Sequence, residues 1–459
     1  MKKAVIFLIL SIFLLNVASA YIDPGTGGYL VSSMWSYIGI FLAVAFAAVM
    51  CFFRNYLIAP VKKFWKEHRN YFFSGLVLLG ILIYLAFVKF SIVRNVTNNT
   101  FVFNESLSGA HFYNPAKVAQ GYNLYEGKLI DMNGNMIKNW SNIYLGVIDK
   151  NGDYYAQQCF ECLKWGRYSW NGSVIWEKEM PIHHEILLTP DDKVITFSKE
   201  VHNYKGRNVE FDTILVFDKN GMLLDTWSTW VNFEYLKQFH KPLELERDPS
   251  FFIPEDHKKN KSIWGGNYDY YHLNSLSILP NNSLQGNYSA FTPGNWMISF
   301  RHGSMIFILD KDTKQVLWRA IDDQIRDGNL EGPHAPFMLP TGIIVVLDNG
   351  RYSGWSRVIA INPLTLGIQW QYNSSDFYSL SQGYVQNLKN NNLLITESEK
   401  GRVFEITPDK EIVWEFYHPD KQNENNSVDK EKWGRRQEIY RMTRYDKAFI
   451  DGVIKKNGI

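Results

Sequence analysis

Cysteine is nearly absent: Cys51, Cys159 and Cys162 are the only three in 459 residues. A disulfide-built scaffold and a thiolate metal cage are thereby excluded. The CFEC pair at 159–162 leaves room for one local disulfide; a metal would need two more ligands nearby, and a thioredoxin motif would need a βαβ context that is missing. Charge of one sign is lacking too. Forty-eight Lys and Arg against 46 Asp and Glu give a net charge of +2, so no basic field for nucleic acid exists, and no nucleic-acid motif accompanies it. Beyond residue 93 no helical period appears. No pair of carboxylates recurs at matching positions, which speaks against glycoside hydrolysis.

Long apolar runs are confined to the first 93 residues. Residues 1–20 carry Lys2 and Lys3, an apolar stretch and ASA before Tyr21, the pattern of a signal peptide or signal anchor. Residues 34–53 and 72–93 are each about 20 residues of apolar sequence, enough for a transmembrane helix. The loop between them, 54–71, holds Arg54, Lys62, Lys63, Lys66 and Arg69 and is expected on the cytoplasmic side. This predicts a multi-pass membrane protein, in contact with lipid through residues 34–93. Everything after a linker at 94–120 would then lie outside the cytoplasm, and the Asn-x-Ser/Thr sequons, among them Asn171, Asn281 and Asn373, fall on that side. The DPGTG stretch at 23–27 reads as a turn.

What is abundant is aromatic sequence, at 15% with 15 Trp. Six times a strand and a small turn lead into a hydrophobic stretch that ends in Trp: LIDMNGNMIKNW at Trp140, WNGSVIW at Trp176, VFDKNGMLLDTW at Trp227, ILDKDTKQVLW at Trp318, AINPLTLGIQW at Trp370 and EITPDKEIVW at Trp414. Four of the five spacings lie between 36 and 52 residues, the period of a four-stranded propeller blade. The fifth, 91 residues, holds an unpatterned insertion from about 232 to 266 that is expected to roof a site. Trp140 has no inner strands before it, and EIYRMTRYDKAFI near the C-terminus has strands with no Trp after them. The two halves would complete one blade. The expected fold is all-β: a six-bladed β-propeller over 121–459, preceded by the signal or anchor and two transmembrane α-helices.

Four segments carry the chemistry: HHEILLTPDDKVIT, YHLNSLSILP, SFRHGS and PHAPFMLPTGIIVVLDNG. His184 and His334 each lie six residues before a proline and His272 lies eight before one, which places all three at the start of inner strands in three consecutive blades, facing the axis by the two-residue strand period. Arg301, on the strand after His272, reaches the same mouth. His183 and His302 are expected to face away, and His240, His257 and His418 to sit in loops. Three imidazoles and a guanidinium make an anion site: Arg supplies a planar donor fork, and a histidine kept neutral by neighbouring cations keeps a nucleophilic nitrogen. The Trp endings are read as structural, docking between blades.

These segments, with GYNLYEGKLIDMNGNMIKNW before them and YVQNLKNNNLLITESEKGRVFEITPDKEIVWEF after, resemble the arylsulfotransferase family over roughly 121–444. The resemblance implies a propeller enzyme that moves sulfate between phenols without a nucleotide donor. His334 would be transiently sulfated, while His184, His272 and Arg301 would hold the sulfuryl oxygens. A ping-pong reaction between a phenolic sulfate donor and a phenol-type acceptor is implied, with no metal and no dissociable cofactor. Members usually carry Gln-His-Asp around the nucleophile; here the residues are Pro333, His334 and Ala335. The alternatives are a non-catalytic propeller binding a glycan, anion or protein partner, and a histidine-ligated metalloenzyme, against which Arg301 argues.

Overall fold

Apolar and polar residues alternate between tight turns from residue 121 onward, and in the computed structural model this pattern forms six sheets around one axis, each built on four antiparallel strands. The structure describes residues 106–140, 143–158, 163–243, 263–326, 328–421 and 436–458. In chain order, the first blade runs from Leu145–Ile148 to Val174–Glu179, and the second from His183–Leu188 to Leu223–Ser228. The third runs from Leu273–Ile278 to Val316–Ile321, the fourth from Pro333–Met338 to Gly367–Tyr372, and the fifth from Tyr384–Asn387 to Ile412–Tyr417. The sixth is composite. Its inner strand, Thr443–Asp446, comes from the C-terminus and pairs with Gly121–Tyr125, which continues through Lys128–Ile130 to Met136–Asn139. The chain thus closes its own ring and removes the open sheet edges a linear array would expose.

Packing follows from the blade geometry. Among the described residues the buried apolar side chains fall into six clusters, each shared by two neighbouring blades; Val346 and Ile359 of the fourth, for example, pack with Ile306 and Ile308 of the third. The repeated tryptophans lock these interfaces. The indole N–H groups of Trp140, Trp176, Trp318, Trp370 and Trp414 each donate to a backbone carbonyl in the outer turn of the next blade: Trp170, Lys219, Pro363, Pro408 and Met132 respectively, at 2.8–3.0 Å. Trp227, which precedes the insertion, finds no such acceptor among the described residues.

Several expectations change. Multi-pass membrane placement is not upheld: among the described residues no helix is long and apolar enough to cross a membrane. The two α-helices there are α1, Phe233–Leu236, and α2, Lys447–Lys456, and even ten residues rise only about 15 Å against a hydrocarbon core of about 30 Å. The apolar runs at 34–53 and 72–93, the signal at 1–20, the loop at 54–71, CFEC and His257 lie outside the described residues. The segment 94–120, expected as a linker, contributes a strand, Gly109–Tyr113, that pairs with the outer edge of the fifth blade. The KAFI end of the C-terminal strand motif is instead the start of α2, whose N-cap is the last strand residue, Asp446, accepting from Ala448 N at 3.0 Å.

Candidate functional site

The inner strands of the second, third and fourth blades begin irregularly. His184, His272 and Ala335 have φ of +56°, +53° and +48°, a left-handed conformation costly for residues with a Cβ. Each lies at or beside a break in strand register, between His183 and Ile186, between Leu273 and Ser275, and between His334 and Phe337. By backbone conformation His184 and His272 are therefore the counterparts of Ala335, and His334 is the counterpart of His183, one position from the match the prolines predict. The bulges also defeat the two-residue period. His183 does not face away: its Nδ1 lies 2.8 Å from Nδ1 of His184, so one ring donates and the other accepts.

The four expected side chains converge. The His184 and His272 rings are 4.8 Å apart, and Arg301 N donates to His272 O at 3.0 Å. His302 joins them, contrary to expectation, because the turn after Phe300 is tight: its ring stands 5.0 Å from that of His272 and its Nδ1 donates to Asp269 O at 2.9 Å. Arg301 reaches the fourth blade at Gly332. A Cβ there would stand 3.8 Å from Arg301 Cγ and 3.3 Å from Arg351 Cδ, and φ is +75°, so glycine lets both arginines close on the residue two before His334.

His334 is 4% exposed. Its Nδ1 is 3.2 Å from Gly332 O, and since a carbonyl only accepts, Nδ1 carries the proton and Nε2 keeps a lone pair. Nε2 makes no hydrogen bond of ordinary geometry among the described residues, although the Asn349 side chain stands close enough to favour the protonated ring. Burial, then the Arg301 charge, push the pKa down to about 3, so the ring is neutral at physiological pH. Burial and mutual repulsion with His272, His183 and His334 hold His184 well below its ordinary range. His183 and His302 are lowered in the same way, burial first.

Beneath these rings lies an ion cluster the sequence did not disclose. Lys199, on the twelve-residue strand Lys193–Tyr204, bonds Asp269 at 2.6 Å and Glu210 at 3.2 Å. Asp269 Oδ2 also accepts from His272 Nδ1 at 2.6 Å. Burial opposes ionisation of Asp269, but Lys199 and His272 outweigh it and hold the carboxyl well below its usual range. Asp212 is shifted the other way by burial and by Asp269, and lies 3.5 Å from His183 Nε2. Asp269, His272 and His302 place ligand atoms within 4.8 Å of one another, a spacing that would suit a metal. The same Asp269 oxygen already holds the Lys199 ammonium, and Arg301 stands alongside. That donor set suits an anion better than a cation.

The described end of the insertion packs beside the rings. Trp264 stands edge-on to His183 with centroids 5.6 Å apart, and Lys199 lies over its ring at 5.3 Å. His240, expected in a loop, bonds Tyr271 OH at 3.0 Å, and His418 is buried against Glu126 at 3.2 Å, far from this site in the chain. On the other side the channel is plugged by the sixth blade: Arg441 forms a two-pronged pair with Glu185 at 2.6 and 3.2 Å and donates to His184 O at 3.1 Å. Only about 10 Å³ remains between His334, Asn274, Tyr440 and Arg441, and beyond the plug a cavity of about 240 Å³ continues along the axis. A cavity of about 540 Å³ beside Lys389 and Asp451 is an open depression with none of these groups.

Lys199, Asp269, Arg351 and Arg441 were missed in the sequence, and His183 and His302 were named but faced away from the site. A signal existed for Lys199, a charge inside the strand pattern ITFSKEV, and for Asp269, three residues before His272. None existed for Arg441, whose place depends on ring closure.

A sequence family described as arylsulfotransferase (ASST) matches residues 167–419, more than half of the chain. No curated protein matches. Among solved structures, a protein of unknown function from Bacteroides caccae is 13% identical, with 72% of this chain and 100% of that one covered at a TM-score of 0.41. A catalytically inactive virginiamycin B lyase from Staphylococcus aureus is 12% identical, with 68% and 74% covered at 0.35. A streptogramin B lyase is 11% identical, with 75% and 96% covered at 0.36. At such values these likenesses carry no argument about activity.

Proposed function

Because the chain belongs to the arylsulfotransferase family, we propose that it moves a sulfuryl group from an aryl sulfate to a phenolic acceptor through His334. The observation that carries this reading is the state of that ring: buried, neutral, its Nδ1–H held by Gly332 O, its Nε2 lone pair uncommitted, and Arg301 beside it. In the first half-reaction Nε2 attacks sulfur and the sulfur–oxygen bond to the phenol breaks. The ring becomes an N-sulfo imidazolium, whose positive charge the Gly332 carbonyl stabilises through Nδ1–H. Arg301 holds the equatorial oxygens together with His184, whose ring a bound sulfate favours in its protonated form, while the single free N–H of His272 faces the phenolic oxygen; fixed donors in a dry site lower the barrier. In the second half-reaction the acceptor oxygen attacks the same sulfur and releases the histidine, giving a ping-pong scheme.

Pro333 and Ala335 give His334 no polar side chain to either side, and Arg301 and Arg351 both pass close to Gly332, two residues before it. The test is release of nitrophenol from 4-nitrophenyl sulfate with and without phenol. Acceptor-dependent release is expected, with parallel double-reciprocal lines, and a fall of at least about 10³-fold in His334→Ala. Unchanged release in that variant would remove His334 from the reaction.

A further inference from the structure

We infer that Asp269 and His272 form a carboxylate–imidazole dyad, anchored by Lys199, that protonates the departing phenolate and recovers the proton from the incoming phenol. This rests on the sulfuryl-transfer reading above and assigns its proton. Asp269 lies on the short strand Tyr268–Asp269 with which the chain returns from the insertion, paired in parallel with Val209 and Glu210 of the second blade. Its Oδ2 accepts from His272 Nδ1 at 2.6 Å and from Lys199 Nζ at 2.6 Å, so the carboxylate is fixed between a permanent cation and a titratable ring. The backbone of the same residue accepts from His302 Nδ1 at 2.9 Å, so one residue fixes the orientation of two rings. Asp269 and Lys199 act as positioning residues; His272 meets the substrate.

A carboxylate only accepts, so His272 Nδ1 keeps its hydrogen and Nε2 is the atom that gains or loses a proton. The groups facing the ring are Asp269, Lys199, Arg301, His183, His184, His302 and His334. Burial lowers its pKa, Asp269 opposes that, and Lys199 and Arg301 add to it, so the empty site holds a neutral ring. An aryl sulfate brings one negative charge to the same place and favours the imidazolium, drawing a proton from solvent. When His334 Nε2 bonds to sulfur and the phenolate leaves with the electron pair of the broken bond, His272 Nε2–H supplies its proton and becomes neutral. When an acceptor phenol attacks the sulfo group, its hydroxyl proton goes to His272 Nε2, and His334 is released neutral. One proton is lent and returned, and no other reactant is needed.

The test has a readout independent of turnover. Calorimetry of 4-nitrophenyl sulfate binding to His334→Ala, in two buffers of different ionisation enthalpy, should show uptake of about one proton per site near neutral pH, and none when Asp269→Asn is added. In turnover, Asp269→Asn alone should lose about 10²-fold on phenyl sulfate, whose phenol is a poor leaving group, but under about 10-fold on 4-nitrophenyl sulfate, with partial rescue by Asp269→Glu. His272→Gln and the uptake of the protein without the Asp269 change serve if Asp269→Asn does not fold. Turnover without proton uptake, or equal losses on both donors, would overturn the dyad and leave sulfuryl transfer standing. Uptake that Asp269→Asn abolishes, with no turnover of any donor, would overturn sulfuryl transfer and leave the dyad as a proton-linked anion site.

Discussion

Strain and neutrality coincide at the residues that open the inner strands. His184 and His272 are held in a left-handed conformation by the register breaks beside them, and this aims both rings at one point instead of at opposite faces of a strand. Gly332 meets the complementary need for backbone that two arginines can approach. Gly332→Ala, at φ +75° with Arg351 3.3 Å away, is expected to cost about 1–3 kcal/mol in denaturant unfolding and to raise KM for the donor as the arginines are displaced. Arg301→Lys keeps the charge but loses the planar fork, and a fall of about 10–100-fold in kcat/KM is expected. The sequence disclosed His184, His272 and His334 because each lies near the start of an inner strand, and Arg301 because it directly follows the next strand of the same blade as His272. It hid His183 and His302 because strand alternation, which would face them outward, does not hold through a bulge or a tight turn.

Blades repeat because the same turn recurs before each outer strand. Asp131, Asp218, Asp310 and Asn362 each accept from backbone N–H groups two to four residues on, a local bond that depends on sequence alone and makes the turns legible. The tryptophan ending each outer strand then reaches into the next turn. Trp370→Phe removes the bond to Pro408 O, and a loss of about 1 kcal/mol is expected beyond the change in packing. The same change at Trp227, whose indole has no acceptor among the described residues, should lack that loss, and paired denaturant curves of the two variants would show it. Helix α2 escaped the sequence pattern because its ten residues follow a strand without a break, and the Asp446 cap is also a strand residue.

At the scale of the whole molecule, the site exists only once the ring is closed. Arg441, from the last blade, plugs the channel under residues of the second, so deleting residues 440–459 should open the composite blade, broaden thermal unfolding and abolish anion binding together. Stability should also depend on pH with a definite sign. His183, His184, His272, His302 and His334 all have pKa values lowered on folding, burial being the first cause, so below about 6.5 the unfolded chain binds more protons than the folded one. Their contribution is intact above that pH and is lost progressively as pH falls, for His334 down to about 3, at up to about 1.4 kcal/mol per pH unit for each ring. Thermal midpoints should drop steeply between pH 7 and about 5, and His334→Ala should reduce the slope.

The sequence by itself determined the six-fold repeat, the composite closing blade, the tryptophan interfaces and four of the converging side chains. All of these follow from local periodicity, turn chemistry and spacing along the chain. Tertiary structure alone decided which rings share a face, that Lys199 and Asp269 stand behind His272, and that Arg441 closes the channel. Those depend on bulges that alter the register and on contacts between residues as far apart as Glu185 and Arg441, whose meeting costs loop closure that only the completed, buried ring offsets.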